Sequence, residues 1–282
     1  MALILKGAPV AAALSNELIE RAQTLRTQGV VPTLAILRVG EQPDDLAYER
    51  GAMKRCARVG VAVEQFVLPA DCTRDRFLNT FLHINIRPEI HGFLVLRPLP
   101  DPVMEEAACE LIKAEKDVDG MSHASLARVF SGYGPGYPPC TAQAVMEILD
   151  YYRVPLSGRR AAVLGRSLVA GRPIAMMLMN RDATVTICHS RTEESDAICR
   201  AAEIVVAASG RARALDGRYA APGQTVVDVG INVDADGVLC GDVDFAAVEP
   251  TVDAITPVPG GVGAVTTTVL AKHVIEAAEK TL

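Results

Sequence analysis

No C-x-x-C pair occurs among the seven cysteines, which are odd in number and scattered along the chain. That argues against structural zinc and a disulfide framework, and for reduced thiols in a cytosolic protein. None of the five histidines pairs with another at ligand spacing, so no metal site is expected. Long hydrophobic runs are missing too. No stretch reaches about 18 apolar residues without a charge, and the amino terminus has no basic segment followed by a long apolar one. The expectation is a cytoplasmic chain with no membrane partner. Positive charge is not in excess either: 28 Lys and Arg stand against 34 Asp and Glu, a formal net charge of −6. That argues against a general affinity for nucleic acid or anionic membrane. There is no internal repeat and no low-complexity tract. A small molecule is the expected partner.

With 282 residues, 50% of them hydrophobic and 22% charged, the chain is long enough for two domains and a large core. Strand-like and helix-like segments alternate, the signature of α/β architecture with largely parallel sheets. Helical spacing is read over 8–28, 42–59, 101–114 and 142–152, and strands over 33–39, 61–67 and 92–96. The cluster of proline and glycine from Gly132 to Pro139 breaks this pattern and marks the end of the first domain. Beyond it, strands at 161–164, 183–188, 203–208 and 225–229 are almost continuous in Val, Ile and Ala, as in a sheet covered on both faces.

The segment from Arg160 to Arg191 carries the strongest local signal. An apolar strand ends at Gly165-Arg166-Ser167-Leu168-Val169-Ala170, a G-x-S-x-x-A variant of the dinucleotide fingerprint. Gly171 and a helix to Met179 follow, so free N–H groups at the helix start would face a pyrophosphate. After the next strand, where such folds usually place an acid for the ribose, stand His189-Ser190-Arg191. A hydroxyl and a guanidinium suit a 2′-phosphate, which favours NADP over NAD. Glu193 and Glu194 keep NAD open, and Gly165 with Gly171 would equally serve a plain close turn. Near the end, Thr256-Pro257-Val258-Pro259-Gly260-Gly261-Val262-Gly263 is a stiff and then permissive loop, either a ligand-approaching segment or a connector.

Together these motifs resemble the methylenetetrahydrofolate dehydrogenase/cyclohydrolase family. The resemblance runs through Pro32-Thr33-Leu34-Ala35 with Val39-Gly40, Tyr48, Lys116-Asp117-Val118-Asp119-Gly120, Pro139-Cys140-Thr141, the Gly165 turn, Ala183 to Ser190, Asp228-Val229-Gly230-Ile231, Gly241-Asp242-Val243-Asp244 and the final glycine loop. It implies two α/β domains around a folate cleft. Residues 1–140, completed by a C-terminal helix over 265–282, would form the catalytic domain, and 141–264 a Rossmann-type NADP domain. The implied reaction is hydride transfer from 5,10-methylenetetrahydrofolate to NADP, in a homodimer. The implied cofactor contacts are Gly165, Arg166, Ser167, Ser190 and Ile231, beside Arg191 from the reading above. On the folate side the resemblance points to Tyr48 and Asp119 as catalytic and substrate-binding, with Pro259, Gly260, Gly261 and Gly263 closing the cleft. Taken alone, Tyr48 reads as a packing residue and Asp119 as a turn residue.

The departures from the family bear on its second activity. Four residues after the tyrosine, one turn along the same helix face, the family has a lysine, and here stands Ala52. Where it has the lysine's glutamine partner, here stands Leu96, followed by Arg97. Lys54 lies roughly 120° around the helix from Tyr48, and Arg55 is two turns along on the tyrosine's face. Hydride transfer needs preorganised geometry and an anion for the developing cation, whereas opening the methenyl ring needs a positioned acid/base group. The expectation is a dehydrogenase with weak or absent cyclohydrolase activity. Alternatives are a bifunctional enzyme in which Arg55, Arg97 or a water chain replaces the lysine, a dehydrogenase of the shikimate or amino-acid type, and a non-catalytic folate-binding protein. His123 reads as a surface or turn residue.

Overall fold

A computed structural model describes residues 1–234 and 236–282. In chain order it contains β1 (Leu3–Ile4), α1 (Gly7–Thr27), β2 (Thr33–Val39), α2 (Pro43–Val59), β3 (Ala62–Leu68), α3 (Arg74–Ile86), β4 (Gly92–Val95), α4 (Pro102–Leu111) and α5 (His123–Ser131). Then follow α6 (Cys140–Tyr151), β5 (Arg160–Leu164), α7 (Gly171–Met179), β6 (Thr184–Cys188), α8 (Ser195–Ala201), β7 (Ile204–Ala207), β8 (Thr225–Asp228), β9 (Asn232–Val233), β10 (Leu239–Cys240), α9 (Phe245–Val248), β11 (Ala254–Ile255) and α10 (Thr266–Glu279). These fall into two compact units, Ala12–Cys140 with Thr267–Leu282, and Met1–Ala11 with Thr141–Thr266.

The first unit is built on a parallel sheet in the order β3-β2-β4. Every residue of the central strand β2 is buried, which is why TLAILRV reads as an unbroken apolar run with one arginine. Phe77 and Phe81 of α3 pack with Phe93 of β4, the Phe81 and Phe93 ring centroids 4.9 Å apart. Helix α3 has no counterpart in the expectations above. It begins where the Thr73 hydroxyl accepts the Arg76 N–H at 3.3 Å, and its anchors Phe77, Phe81 and Ile84 fall on one face. Gly92 lets α10 approach β4: a Cβ there would lie 2.7 Å from Val274 Cγ2 and 3.0 Å from Val118 Cγ1.

The second unit carries a six-stranded parallel sheet in the order β1-β11-β8-β7-β5-β6. The chain crosses from β5 through α7 to β6 on one side and reaches β7 and β8 on the other, so the strand order reverses beside β5. Ligands bind at such a switch point in open α/β sheets. The sequence-based boundary begins the catalytic domain at residue 1. The structure instead pairs Leu3 with Ala254 and Ile4 with Ile255, because β11 would otherwise leave an unpaired edge. Among the described residues no helix is long and apolar enough to cross a membrane.

Candidate active site

Helix α2 starts with Pro43 in its first turn and ends at Gly60, whose φ of 83° closes it in the left-handed conformation. Tyr48 sits half-buried on this helix. Burial, and then the negative charge of Asp119, push its hydroxyl pKa well above the ordinary value, so Tyr48 stays a hydrogen-bond donor at every working pH. Asp119 is positioned by its neighbours. The buried Asp117 carboxylate accepts the N–H groups of Met121 at 2.9 Å and Ser122 at 2.8 Å, and the Ser125 hydroxyl at 2.6 Å. Ser122 in turn caps α5 by accepting Ser125 N–H at 3.1 Å. Gly120, at φ 69°, has no room for a side chain, since a Cβ would lie 2.5 Å from Pro139 N. Asp117 is thus taken up by two backbone N–H groups and one hydroxyl.

Burial pushes the Asp119 pKa up to about 6, opposed by the positive charge of Arg97 and a hydrogen bond from Cys140. Behind it, the Cys140 thiol lies 3.3 Å from Val118 O, and the buried His273 places Nδ1 2.8 Å from the same carbonyl. Burial drives the His273 pKa down to about 3, so this ring is neutral and packs against Tyr137, centroids 4.9 Å apart.

At the two departures the structure is apolar. Ala52 is 0% exposed and Leu96 5% exposed. Lys54 is exposed. Arg55 donates from Nη1 to Ser15 Oγ at 3.0 Å. Arg97 stands 3.7 Å from Glu105 and is the residue of this group whose charge bears on Asp119. His123 is exposed at the start of α5.

In the second unit the glycine turn leaves β5 at Gly165, with φ 125° and a hypothetical Cβ 1.9 Å from Ala208 O. Gly171 likewise meets Gly165 O at 2.3 Å. Backbone therefore fills the space that side chains would occupy, and only glycine fits either position. Ser167 is exposed, and its hydroxyl accepts the N–H groups of Ala170 at 3.2 Å and Gly171 at 3.4 Å, the two groups where the turn enters α7. Beside this turn is a cavity of about 570 Å³ lined by residues that include Gly165, Arg166, Ser190, Ser209, Arg211 and Arg218.

Arg191 does not line that cavity. A tight turn, with His189 N–H donating to Thr192 Oγ1 at 2.9 Å and Arg191 N–H to His189 Nδ1 at 3.2 Å, carries its exposed side chain on the surface. The exposed Glu193 and Glu194 do not line it either. Ile231 lies in another cavity, of about 320 Å³, together with Pro259, Gly260, Gly261 and Gly263. The residue read as a cofactor contact thus shares a pocket with the loop read as closing on folate. Arg211 and Arg218 of the first cavity carry no motif of their own and are absent from the residues read from the sequence.

Residues 5–119 match the family described as tetrahydrofolate dehydrogenase/cyclohydrolase, catalytic domain, and residues 139–282 match its NAD(P)-binding domain. A curated relative from Carboxydothermus hydrogenoformans, named bifunctional protein FolD, is 52% identical over 99% of this chain and 98% of its own. The crystal structure of the bifunctional FolD methylenetetrahydrofolate dehydrogenase/cyclohydrolase from Campylobacter jejuni is 34% identical with a TM-score of 0.95, covering 100% of both chains. That of the Trypanosoma brucei dehydrogenase-cyclohydrolase, complexed with NADP cofactor and inhibitor, is 35% identical over 99% of this chain and 98% of its own, with a TM-score of 0.92.

Proposed function

Since the chain belongs to the tetrahydrofolate dehydrogenase/cyclohydrolase family, we propose that it oxidises 5,10-methylenetetrahydrofolate to the methenyl form with NADP, and that it opens the methenyl ring to 10-formyltetrahydrofolate as its bifunctional relatives are named to do. The observation that carries this reading is a unit whose glycine turn is closed to any side chain, together with a Tyr48 hydroxyl in the other unit whose pKa is raised by burial and by the charge of Asp119. The cofactor fits the unit with the glycine turn: Gly165 and Gly171 admit backbone alone, and Arg166 with Ser190 offers a guanidinium and a hydroxyl to phosphate. NADP supplies the hydride acceptor. The chain's own residues do the rest. Tyr48 donates a hydrogen bond to the folate, and Asp119, ionised above about pH 6, faces the positive charge that develops as hydride leaves. Pro259, Gly260, Gly261 and Gly263 are assigned to the substrate, and Ile231, which shares their pocket, to the cofactor.

A second reading, a dehydrogenase with weak or absent hydrolysis, is favoured by one observation: the buried Ala52 and Leu96 offer no acid or base. In the bifunctional reading Arg97, whose charge already bears on Asp119, supplies the cation. One experiment separates them. Methenyl-folate is generated by the enzyme with NADP, and its absorbance is then followed with and without protein. Decay faster than in buffer, lost in Arg97→Leu, supports the bifunctional reading. Decay no faster than in buffer supports the second, and failure to form methenyl-folate with NADP or NAD leaves a folate-binding protein.

A homodimer in the cytoplasm belongs to the same reading and rests on the resemblance. A particle of 30.0 kDa in light scattering at micromolar concentration would contradict it.

A further inference from the structure

Asp228-Val229-Gly230 and Gly241-Asp242-Val243 are two motifs far apart in the sequence. The structure folds them onto each other. Asp242 is 0% exposed, and its carboxylate accepts five hydrogen bonds: the N–H and hydroxyl of Ser209, Gly210 N–H at 2.8 Å, Arg211 N–H at 3.1 Å and Asn232 Nδ2 at 2.9 Å. Asp228 holds this arrangement from behind, accepting the N–H groups of Asp242 at 3.0 Å, Val243 at 2.9 Å and Gly230 at 2.9 Å. The glycines are required by the acids. A Cβ on Gly230 would lie 2.2 Å from Asp242 Oδ1, and one on Gly241 would lie 1.9 Å from Asp228 Oδ2.

A carboxylate without solvent access is stable only when its oxygens are fully satisfied. Here four of the five donors belong to Ser209, Gly210 and Arg211, so the buried charge serves to fix that three-residue segment. Two of the three, Ser209 and Arg211, line the cavity that also holds Gly165, Arg166 and Ser190. The neighbouring arginines are already engaged: Arg213 pairs with Asp234 at 2.8 Å and Arg218 with Asp216 at 3.0 Å. Among the described residues no salt bridge is formed by Arg211 or Arg166, which leaves these two guanidiniums of the cavity for an external anion.

We propose that Arg211 is a specificity-determining residue that pairs with the 2′-phosphate of NADP, and that Asp242 is the positioning residue that presents it. The proposal rests on the NADP reading above and replaces Arg191 in the cation's role. Arg211 is exposed, so its substitution leaves the core untouched.

The test is calorimetric titration of the full chain with NADP and with NAD. Loss of one charge-assisted contact in Arg211→Gln weakens NADP roughly 10- to 100-fold and leaves NAD unchanged. Arg211→Lys, which keeps the charge but not the fork, recovers part of the loss. Arg213→Gln, on the same segment but outside the cavity, changes neither. Asp242→Asn reduces NADP affinity in the wild-type background and adds little once Arg211 is Gln, as expected when one residue acts through the other. Equal weakening of NADP and NAD in Arg211→Gln, or no weakening at all, overturns the proposal whether or not the Asp242 variant folds. A wild-type chain that binds NAD as tightly as NADP fails the underlying reading instead, and that outcome is visible before any variant is made.

Discussion

Asp119→Asn is expected to lower the rate of methenyl-folate formation roughly 10²- to 10³-fold, the usual cost of removing one preorganised partner of transition-state charge, while NADP affinity stays within a factor of about two. The substitution keeps the shape of the side chain and removes its charge. The turn that holds it is built by Asp117, Ser122 and Gly120, none of which depends on Asp119, so the fold should persist. The pH profile gives a second reading. Burial raises the carboxyl to about 6, hence the wild-type rate constant at saturating substrate should climb as pH rises through that value and then level, and the climb should vanish in Asp119→Asn. Stability has the opposite sign. The folded state holds this proton more tightly than the unfolded chain, so ionising Asp119 between its ordinary value of 3.8 and about 6 works against folding as pH rises through that window. A site whose charge favours the reaction at the expense of the fold is what a functional carboxyl should show. Unchanged turnover in Asp119→Asn would return the residue to a mere turn.

The largest effect on stability is expected at Glu49, next to Tyr48 on α2. Glu49 is 3% exposed and its partner Arg38, next to the last residue of β2, 6%. Arg38 Nε donates to Glu49 Oε2 at 2.9 Å, Gln65 of β3 donates to Oε1 at 2.8 Å, and Arg38 also reaches Gly40 O. The pair ties the helix that carries Tyr48 to the sheet beneath it. Glu49→Leu strands a guanidinium in the core and should cost about 3–5 kcal/mol, whereas Arg38→Met with Glu49→Leu should recover most of that, because a desolvated ion pair contributes little over an apolar one of similar size. Urea denaturation measures both. A single variant that loses less than about 1 kcal/mol would show that water reaches the pair and screens it.

How far residues alone lead depends on what each element is made of. Strands β2 and β5 were legible because a strand buried on both faces is a run of Val, Ile, Leu and Ala. Helix α3 was not, because Asn79, Thr80, Asn85 and Ile86 blur its period, and its helicity comes from packing, with Phe77 against Phe81 and Phe81 against Phe93. At the site, Gly165 announced itself through the turn, whereas Tyr48 and Asp119 were visible only through resemblance, since an Asp-Gly pair by itself reads as a turn. Arg191 lies outside the cavity for a local reason. Position after the second strand is set by the sequence, but the His189 to Thr192 turn decides which of its side chains line the cavity. Asp242 and Arg211 meet through contacts between distant segments, and no local pattern encodes them.

The short strand β1 has a consequence for how the molecule is assembled. Leu3 and Ile4 lie beside Ala254 and Ile255, so a pairing made by an early segment of the chain waits for a much later one to emerge from the ribosome. Helix α10 closes the first unit in the same delayed way, with Val274 seated over Gly92. A gene fragment ending at Cys140 would lack that helix, and one beginning at Thr141 would present β11 as a bare edge, the template on which strands of separate molecules add. Neither half is a self-contained product. The two units are therefore interlaced by the path of the chain, and splitting the reading frame between them would sever a sheet and not a linker.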